Sequence, residues 1–298
     1  MRVTNKMLSQ TFLNNLTRNL NAMRKTQEQM SSFKKVSRPS DDPIAVTQIL
    51  GMKTTLAEQA KHMQNMEEGI GWLEATDSAL NNAGQVLKRA YELTVQAANG
   101  TNPEDSLRAI AKEIEQLSDE LMQIANSSYA GRYIFGGTYT GKTPFELDGD
   151  GNVIYKGNDE TLDWEIGAGV TMSVNLTGQD VFEADEGTKQ SEIFTVLSDL
   201  KNALESGGNV DDLLENINEK LDHILEQRAV VGAKSRRMEM SLDRAEVVNL
   251  GLIELTSKLE DIDVAETSMY YAMQRATYEA ALMTGAQILQ PTLLNFLR

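Results

Sequence analysis

Cysteine is absent from this 298-residue chain and histidine occurs only twice, which excludes disulfides, thiol nucleophiles and thiolate metal sites. Imidazole chemistry is left with His62 and His223. Both fall inside long helical patterns without HExxH or triad spacing, and both read as helix-surface residues. Proline is also scarce, and of the five present two crowd into the stretch SRPSDDPIA (37–45), making it the strongest break in the chain. No run approaches the ~18 apolar residues of a membrane span. The opening MRVTNKMLSQTFLNNL has no apolar core followed by a small-residue cleavage site, so neither a membrane anchor nor a cleaved signal peptide is expected. Basic charge is the remaining deficit: the formal net charge is −16, which argues against a protein that coats nucleic acid along its whole surface.

The few cations are unevenly placed. Residues 1–40 carry Arg2, Lys6, Arg18, Arg24, Lys25, Lys34, Lys35 and Arg38 against the single acid Glu28, a net +7, so the remainder carries −23. Such an arm either binds an anionic surface or nucleic acid, or is a solvated or partner-facing helix face; it lacks interleaved aromatics beyond Phe12 and Phe33, which favours the second reading.

What is present is helical periodicity. Leu13, Leu16, Leu20, Met23 and Met30 recur at alternating three- and four-residue spacing, interrupted only at Gln27. Beyond the proline break a second row runs Ala45, Ile49, Met52, Leu56, Gln59, Met63, Met66, Ile70, Leu73, Asp77, Leu80, Gly84, Leu87, Tyr91, Thr94 and Ala98. That predicts one helix of about 80 Å, which needs partner helices along its length. NGTNPEDSL ends it, with Gly100 as stop, Asn102 as N-cap and Pro103 as first residue of the next helix. That helix carries Leu107, Ile110, Ile114, Leu117, Leu121 and Ile124. Residues 129–187 then hold 8 of the 17 aromatics and 11 of the 21 glycines, a concentration that reads as strands and tight turns. Helices return with Ile193, Leu197, Leu200 and Leu204, closed by Gly207 and Gly208. A second rod-length row follows: Val210, Leu214, Ile217, Leu221, Ile224, Arg228, Val231, Ser235, Met238, Leu242, Ala245, Asn249, Leu252, Thr256 and Leu259. The last helical segment carries Met269, Met273, Ala276, Ala280 and Met283, then Leu294 beyond Pro291.

The order is nearly palindromic. It predicts a mainly α fold of long antiparallel, coiled-coil-like helices with a small β-rich insert, the N- and C-termini meeting at one end and the insert at the other. The domains expected are 1–40 with 262–298, a terminal helical pair; 41–128 with 190–261, a helical rod; and 129–189, the insert. A short two-helix pair buries little, so the terminal domain is expected to be marginal alone and to order on assembly. Leu13, Leu16, Leu20, Met23, Met30, Met269, Met273, Ala276, Ala280, Met283 and Leu294 are its expected subunit-facing residues.

Candidate chemistry is thin. There is no GxxxxGK[ST], no GxGxxG after a strand and no GxSxG, so no enzyme and no cofactor are expected. DGDGNV (148–153) places Asp148, Asp150, Asn152 and Asp159 as in the opening of a calcium loop. However, Val153 stands where an EF-hand needs glycine and the flanks are strands, so the stretch reads as a turn and no metal site is assigned. Asp41 and Asp42 could form a carboxylate dyad. Beside prolines at a chain reversal they read instead as caps, within an inter-domain joint Pro39, Ser40, Asp41, Asp42 and Pro43, where Pro39 stops the first helix and Pro43 starts the long one.

With those residues in view, SSFKKVSRPSDDPIA (31–45) resembles the N-terminal signature of the bacterial flagellin superfamily. NMEEGIGWLEATDSAL (65–80), ELTVQAANG (92–100), AKEIEQLSDELMQIAN (111–126) and GRYIFGGTYTGKTPF (131–145) resemble its hook–filament junction members, and LEDIDVAETSMYYAMQRATYEAALMTGAQILQPTLLNFL (259–297) resembles the superfamily's C-terminal helix. Phe33 departs from the pattern, which often has glycine there, so a helical turn is expected at that point. The resemblance implies an extracellular structural subunit of the bacterial flagellum, exported through the flagellar type III channel. It implies hook-associated protein 1, flagellin, further copies of the chain in a ring and a cytoplasmic export chaperone as partners, with neither nucleic acid nor membrane among them. Flagellin itself is the rival within the superfamily; GRYIFGGT leading into a short β segment favours the junction proteins.

Overall fold

The computed structural model describes residues 5–98, 103–149, 151–185, 187–208 and 210–289. The fold is mainly α: α1 (Asn5–Ser32), α2 (Pro43–Ala98), α3 (Glu104–Ala125), α4 (Gly178–Phe182), α5 (Glu192–Ser206), α6 (Asp211–Glu260) and α7 (Val264–Leu289). Six short strands lie between α3 and α5: β1 (Ser128–Tyr129), β2 (Arg132–Tyr133), β3 (Phe145–Leu147), β4 (Val153–Tyr155), β5 (Asp163–Gly167) and β6 (Val170–Ser173). Both rod-length rows form single helices, α2 of 56 and α6 of 50 residues. The described chain separates into two compact units: one holds the residues up to Glu58 and from Val248, the other Gln59–Val247. Both divisions fall inside the long helices, and the Pro/Asp stretch lies wholly within the first unit.

In the second unit the predicted rows point inward. Leu73, Leu80 and Leu87 of α2, Ile114 and Leu121 of α3, Leu197 and Leu200 of α5, and Ile217, Ile224 and Met238 of α6 are all essentially buried in one core. The polar breaks in the two long rows meet each other. Arg228 donates from Nε to Asp77 Oδ1 (2.8 Å) and from Nη2 to Oδ2 (3.2 Å), and its Nη1 donates to Asn81 (2.8 Å). Matched in this way, an arginine and a carboxylate on one seam admit a single antiparallel register, whereas a one-turn slip would leave both facing apolar side chains.

The β segments form three separate antiparallel two-stranded ribbons, β1–β2, β3–β4 and β5–β6. Ribbons this small cannot bury their own apolar faces, so they use the helices. Asn65 of α2 donates to the Glu165 carbonyl (2.8 Å), Trp72 meets Tyr129 edge-on, and Lys234 of α6 donates to Ser173 Oγ (3.1 Å) and the Asn175 carbonyl (3.2 Å). The insert therefore lies beside the mid-portions of the long helices, not at their far end as the palindrome suggested. Phe135, Phe145, Phe182 and Phe194 join it to α4 and α5 through ring contacts with centroids 5.0–6.1 Å apart. Each such pair adds about 0.5–1.5 kcal/mol beyond its burial.

The DGDGN stretch closes β3 onto β4 as a turn. The Asp148 amide donates to the Asn152 carbonyl (2.8 Å), the Gly149 amide to Asp148 Oδ1 (2.8 Å), and Gly151 takes φ +84°. Asp159 faces elsewhere, accepting from Thr177 Oγ1 (3.1 Å), while Asp150 lies outside the described residues. His223 is not a solvated helix residue: its Nε2 lies 2.7 Å from the Asp180 carbonyl. Pro103, expected as the first residue of α3, occupies the cap position before Glu104; Gly100 and Asn102 lie outside the described residues.

Candidate assembly surface

In the first unit α1 and α7 run antiparallel. Thr26 Oγ1 donates to Gln274 Oε1 (2.8 Å), and farther along the ring of Phe12 lies where a side chain on Gly285 would project. The enclosed stripe of α1 is Phe12, Leu16, Asn19, Met23, Thr26 and Met30; that of α7 is Thr267, Tyr271, Gln274, Tyr278, Ala281 and Gly285. Both keep heptad spacing, but Asn19 and Thr26 on α1 and Thr267, Gln274, Ala281 and Gly285 on α7 are polar or small. Leu16, Met23 and Met30 therefore face α7, while Leu13 and Leu20 lie exposed on the flank.

On α7 every described residue of the expected row points outward. Met269, Met273 and Met283 are 63%, 58% and 71% exposed, and Ala276 and Ala280 lie exposed between them. Leu294 lies outside the described residues. The helix thus has two stripes, a mixed one that holds α1 and a more apolar one that lies exposed among the described residues. Sequence reasoning missed a further exposed set: Ile44 and Leu50 on α2, and Val248, Leu250, Ile253 and Leu255 on α6. Its signal was available in VVNLGLIEL, where apolar residues occupy more of the helix circumference than one partner can cover.

The first joint differs from expectation at its start. α1 ends at Ser32, seven residues before Pro39, because Phe33 turns the chain in the left-handed region at φ +58°. No helical turn forms there. The conformation is imposed across the chain: the Ile262 amide donates to the Phe33 carbonyl (3.2 Å) and the Lys35 amide to the Glu260 carbonyl (2.6 Å). A left-handed non-glycine residue costs about 1–2 kcal/mol, and the Phe33 ring is exposed. Phe33→Gly should therefore stabilise the first unit, by up to about 1 kcal/mol after glycine's own chain entropy is charged. A lower midpoint in thermal unfolding followed at the terminal helices would contradict this reading of the turn.

The far end of the joint behaves as the residues predict. Asp42 Oδ1 accepts from the amides of Ile44 and Ala45 (3.0 Å each), and Pro43 is the first residue of α2. Asp41 Oδ2 accepts from the Arg38 amide (3.2 Å), and its carboxylate lies 3.8 Å from Lys25 Nζ. Ser40 and Pro39 occupy the intervening turn. Asp41 and Asp42 thus bond different backbone groups and do not act as a pair. Asp263 repeats the capping of Asp42, accepting from Ala265 (2.8 Å) and Glu266 (3.1 Å) at the start of α7.

One carboxylate joins the two chain reversals. Glu260 Oε1 lies 2.6 Å from Lys34 Nζ and 2.7 Å from Lys53 Nζ. Burial works to raise the Glu260 carboxyl, but hydrogen bonds from Lys34 and Lys53 outweigh it and hold the group below the usual carboxylate range. Lys34 is held above its usual range by the hydrogen bond to Glu260 and then by its charge. A depressed carboxyl contributes stability above its unfolded value of about 4.3 and loses it as pH falls through the folded value. A raised lysine contributes below about 10.4 and loses it as pH rises through its own. Between those limits the cluster is intact. Acidification to pH 3 should lower the protection of the Lys35 and Ile262 amides, measured against intrinsic exchange at the same pH, before it lowers protection in the core of the second unit, and Glu260→Gln should remove that selective acid response. Equal loss of protection in both units would contradict it.

Arg24, Lys25 and Lys34 of the basic arm thus each have an acid of this chain beside them, Glu28 lying 4.0 Å from Arg24. Among the described residues no group of three histidine, aspartate or glutamate side chains is arranged to hold a metal ion.

Residues 3–140 match the family model of the bacterial flagellin N-terminal helical region. Flagellar hook-associated protein 3 of Salmonella typhimurium is 27% identical over 95% of this chain and 96% of its own. Flagellin of Bacillus subtilis is 25% identical over 96% of each. Among solved structures, Bacillus cereus FlgL superposes with a TM-score of 0.59 at 26% identity, covering 70% of this chain and 99% of that one.

Proposed function

We propose that this chain, which belongs to the bacterial flagellin superfamily, is the structural adapter that joins the hook side of the flagellum to the flagellin filament. Two findings support the reading together: the end-to-end similarity to hook-associated protein 3, and an apolar row on α7 that lies exposed among the described residues. The row is the observation that carries it, because a solvated helix in a lone subunit gains nothing from exposing Met269, Met273 and Met283. Neighbouring subunits bury them. The partners are hook-associated protein 1 on one side, flagellin on the other and further copies of the chain within a ring, with an export chaperone before assembly.

In this reading residues 1–40 and 262–298 form the assembly domain, completed by neighbours; 41–128 and 190–261 form the rod, and 129–189 an outer insert. The work is mechanical, and the chain is a structural component, not an enzyme. The subunit passes through the flagellar type III export channel and acts outside the cell. Helices whose shared stripes are interrupted by polar and small residues suit that passage, since they hold little structure before neighbours arrive.

Deleting the gene tests the proposal. Electron microscopy should find hooks without filaments, with flagellin lost to the medium, and the wild-type gene should restore attachment. Filaments of normal length on the mutant's hooks would overturn it. The likeness to Bacillus subtilis flagellin supports a second reading, a filament subunit; that reading predicts that the deletion removes the filament protein itself and leaves none in the medium.

A further inference from the structure

We infer that the exposed row of α7 is an oxidation site, at which peroxide converts the free subunit into a form that cannot assemble. The inference rests on the proposed assembly role. The starting observation is where the methionines lie. Met66 and Met238 are fully buried and Met172 nearly so, whereas Met269, Met273 and Met283 stand open on one face of a helix, with Ala276 and Ala280 the only row residues between them. A chain without cysteine has no thiol to react first, so thioether sulfur is the most readily oxidised group it presents.

The step is a two-electron transfer. The thioether sulfur attacks one oxygen of a hydroperoxide, the O–O bond breaks, and an S–O bond forms. With hydrogen peroxide the second oxygen leaves as hydroxide and takes the proton carried by the transferred oxygen, so that water and the neutral sulfoxide result. A flexible apolar group is thereby replaced by a polar one carrying a strong hydrogen-bond acceptor. In the free subunit this costs nothing, because the sulfur already faces water. In an assembled interface the sulfoxide oxygen is buried without a donor arranged for it, and docking is opposed at three positions along the row. Assembly in turn shields the same sulfurs. The row is therefore vulnerable only before incorporation.

The test has two readouts. Purified chain is exposed to hydrogen peroxide, and peptide mapping by mass spectrometry follows the 16-Da gain of about one oxygen per sulfoxide at each methionine. Met269, Met273 and Met283 should oxidise at least about tenfold faster than Met66, Met172 and Met238, as expected for open against enclosed sulfur. Circular dichroism of the same sample checks that the helices persist. The treated chain is then added to hooks isolated from the deletion strain, followed by flagellin. Filament growth should be lost with oxidised wild type and retained with oxidised M269L/M273L/M283L. A second variant, M240L, removes an exposed methionine of α6 and should leave the sensitivity intact. Uniform oxidation across the six sites, growth retained after selective oxidation, or equal loss in the triple variant would each overturn the inference. If untreated wild type fails to restore growth on those hooks, the adapter reading itself falls, and the inference falls with it.

Discussion

Met273→Asp should leave the free chain folded and abolish filament attachment. Met273 is exposed on the outer stripe of α7, so a carboxylate there stays hydrated in the free subunit. Its cost to the monomer is no more than the helix propensity difference, about 0.5 kcal/mol. In a packed contact the same carboxylate loses its water, and an unpaired buried charge costs several kcal/mol. At 1.4 kcal/mol per factor of ten, even ~3 kcal/mol weakens the contact more than 100-fold. Thermal unfolding by circular dichroism should be unchanged within about 1 °C, while motility and filament attachment disappear. Leu16→Asp provides the contrast: Leu16 is half-buried against α7, so that substitution should also loosen the terminal pair in the monomer. Normal filaments in the Met273→Asp strain would remove α7's outer stripe from the assembly.

Phe182→Ala should give the largest loss of stability. The ring is fully buried and touches Phe135, Phe145 and Phe194 at centroid distances of 5.4, 5.0 and 6.0 Å, so truncation empties the point where the ribbons meet α5. Little can collapse into the space. The backbone of Gly178 already lies against Tyr155 and Phe145, where an added Cβ would come within 2.6 and 2.9 Å. A cost of about 3–5 kcal/mol is expected. Trp72 and Trp164 both lie in the second unit, so urea unfolding followed by tryptophan fluorescence reports on that unit alone. A loss below about 1 kcal/mol would mean that the ribbons do not share the helical core.

The long helices were the most legible part of the chain, and their polar interruptions were as informative as their leucines. Asp77 and Arg228 looked like faults in separate rows; the structure pairs them at the half-exposed edge of the seam, so each fault answers the other. The cap at Asp42 was equally readable, because an N-cap depends only on its own next few residues. The end of α1 was not. Phe33 carries no local signal for a left-handed turn, and the bonds that hold it there come from Glu260 and Ile262, more than 220 residues away.

α7 shows a different limit. Periodicity identified its more apolar stripe, but which stripe faces α1 was settled by fit: Gly285 admits the Phe12 ring and Gln274 accepts from Thr26. Hydrophobicity alone does not say which stripe the chain's own partner helix covers. The ribbons were read from glycines and aromatics as strands and turns, yet their attachment to Asn65, Trp72 and Lys234 is non-local and left no pattern in sequence.

Immunogold electron microscopy of intact flagella, with antibodies raised against this chain, bears most directly on the adapter role. The account predicts a single labelled band at the distal end of each hook, none along the filament, and no band in the Met273→Asp strain. Label distributed along the filament would contradict it and make the chain a filament subunit.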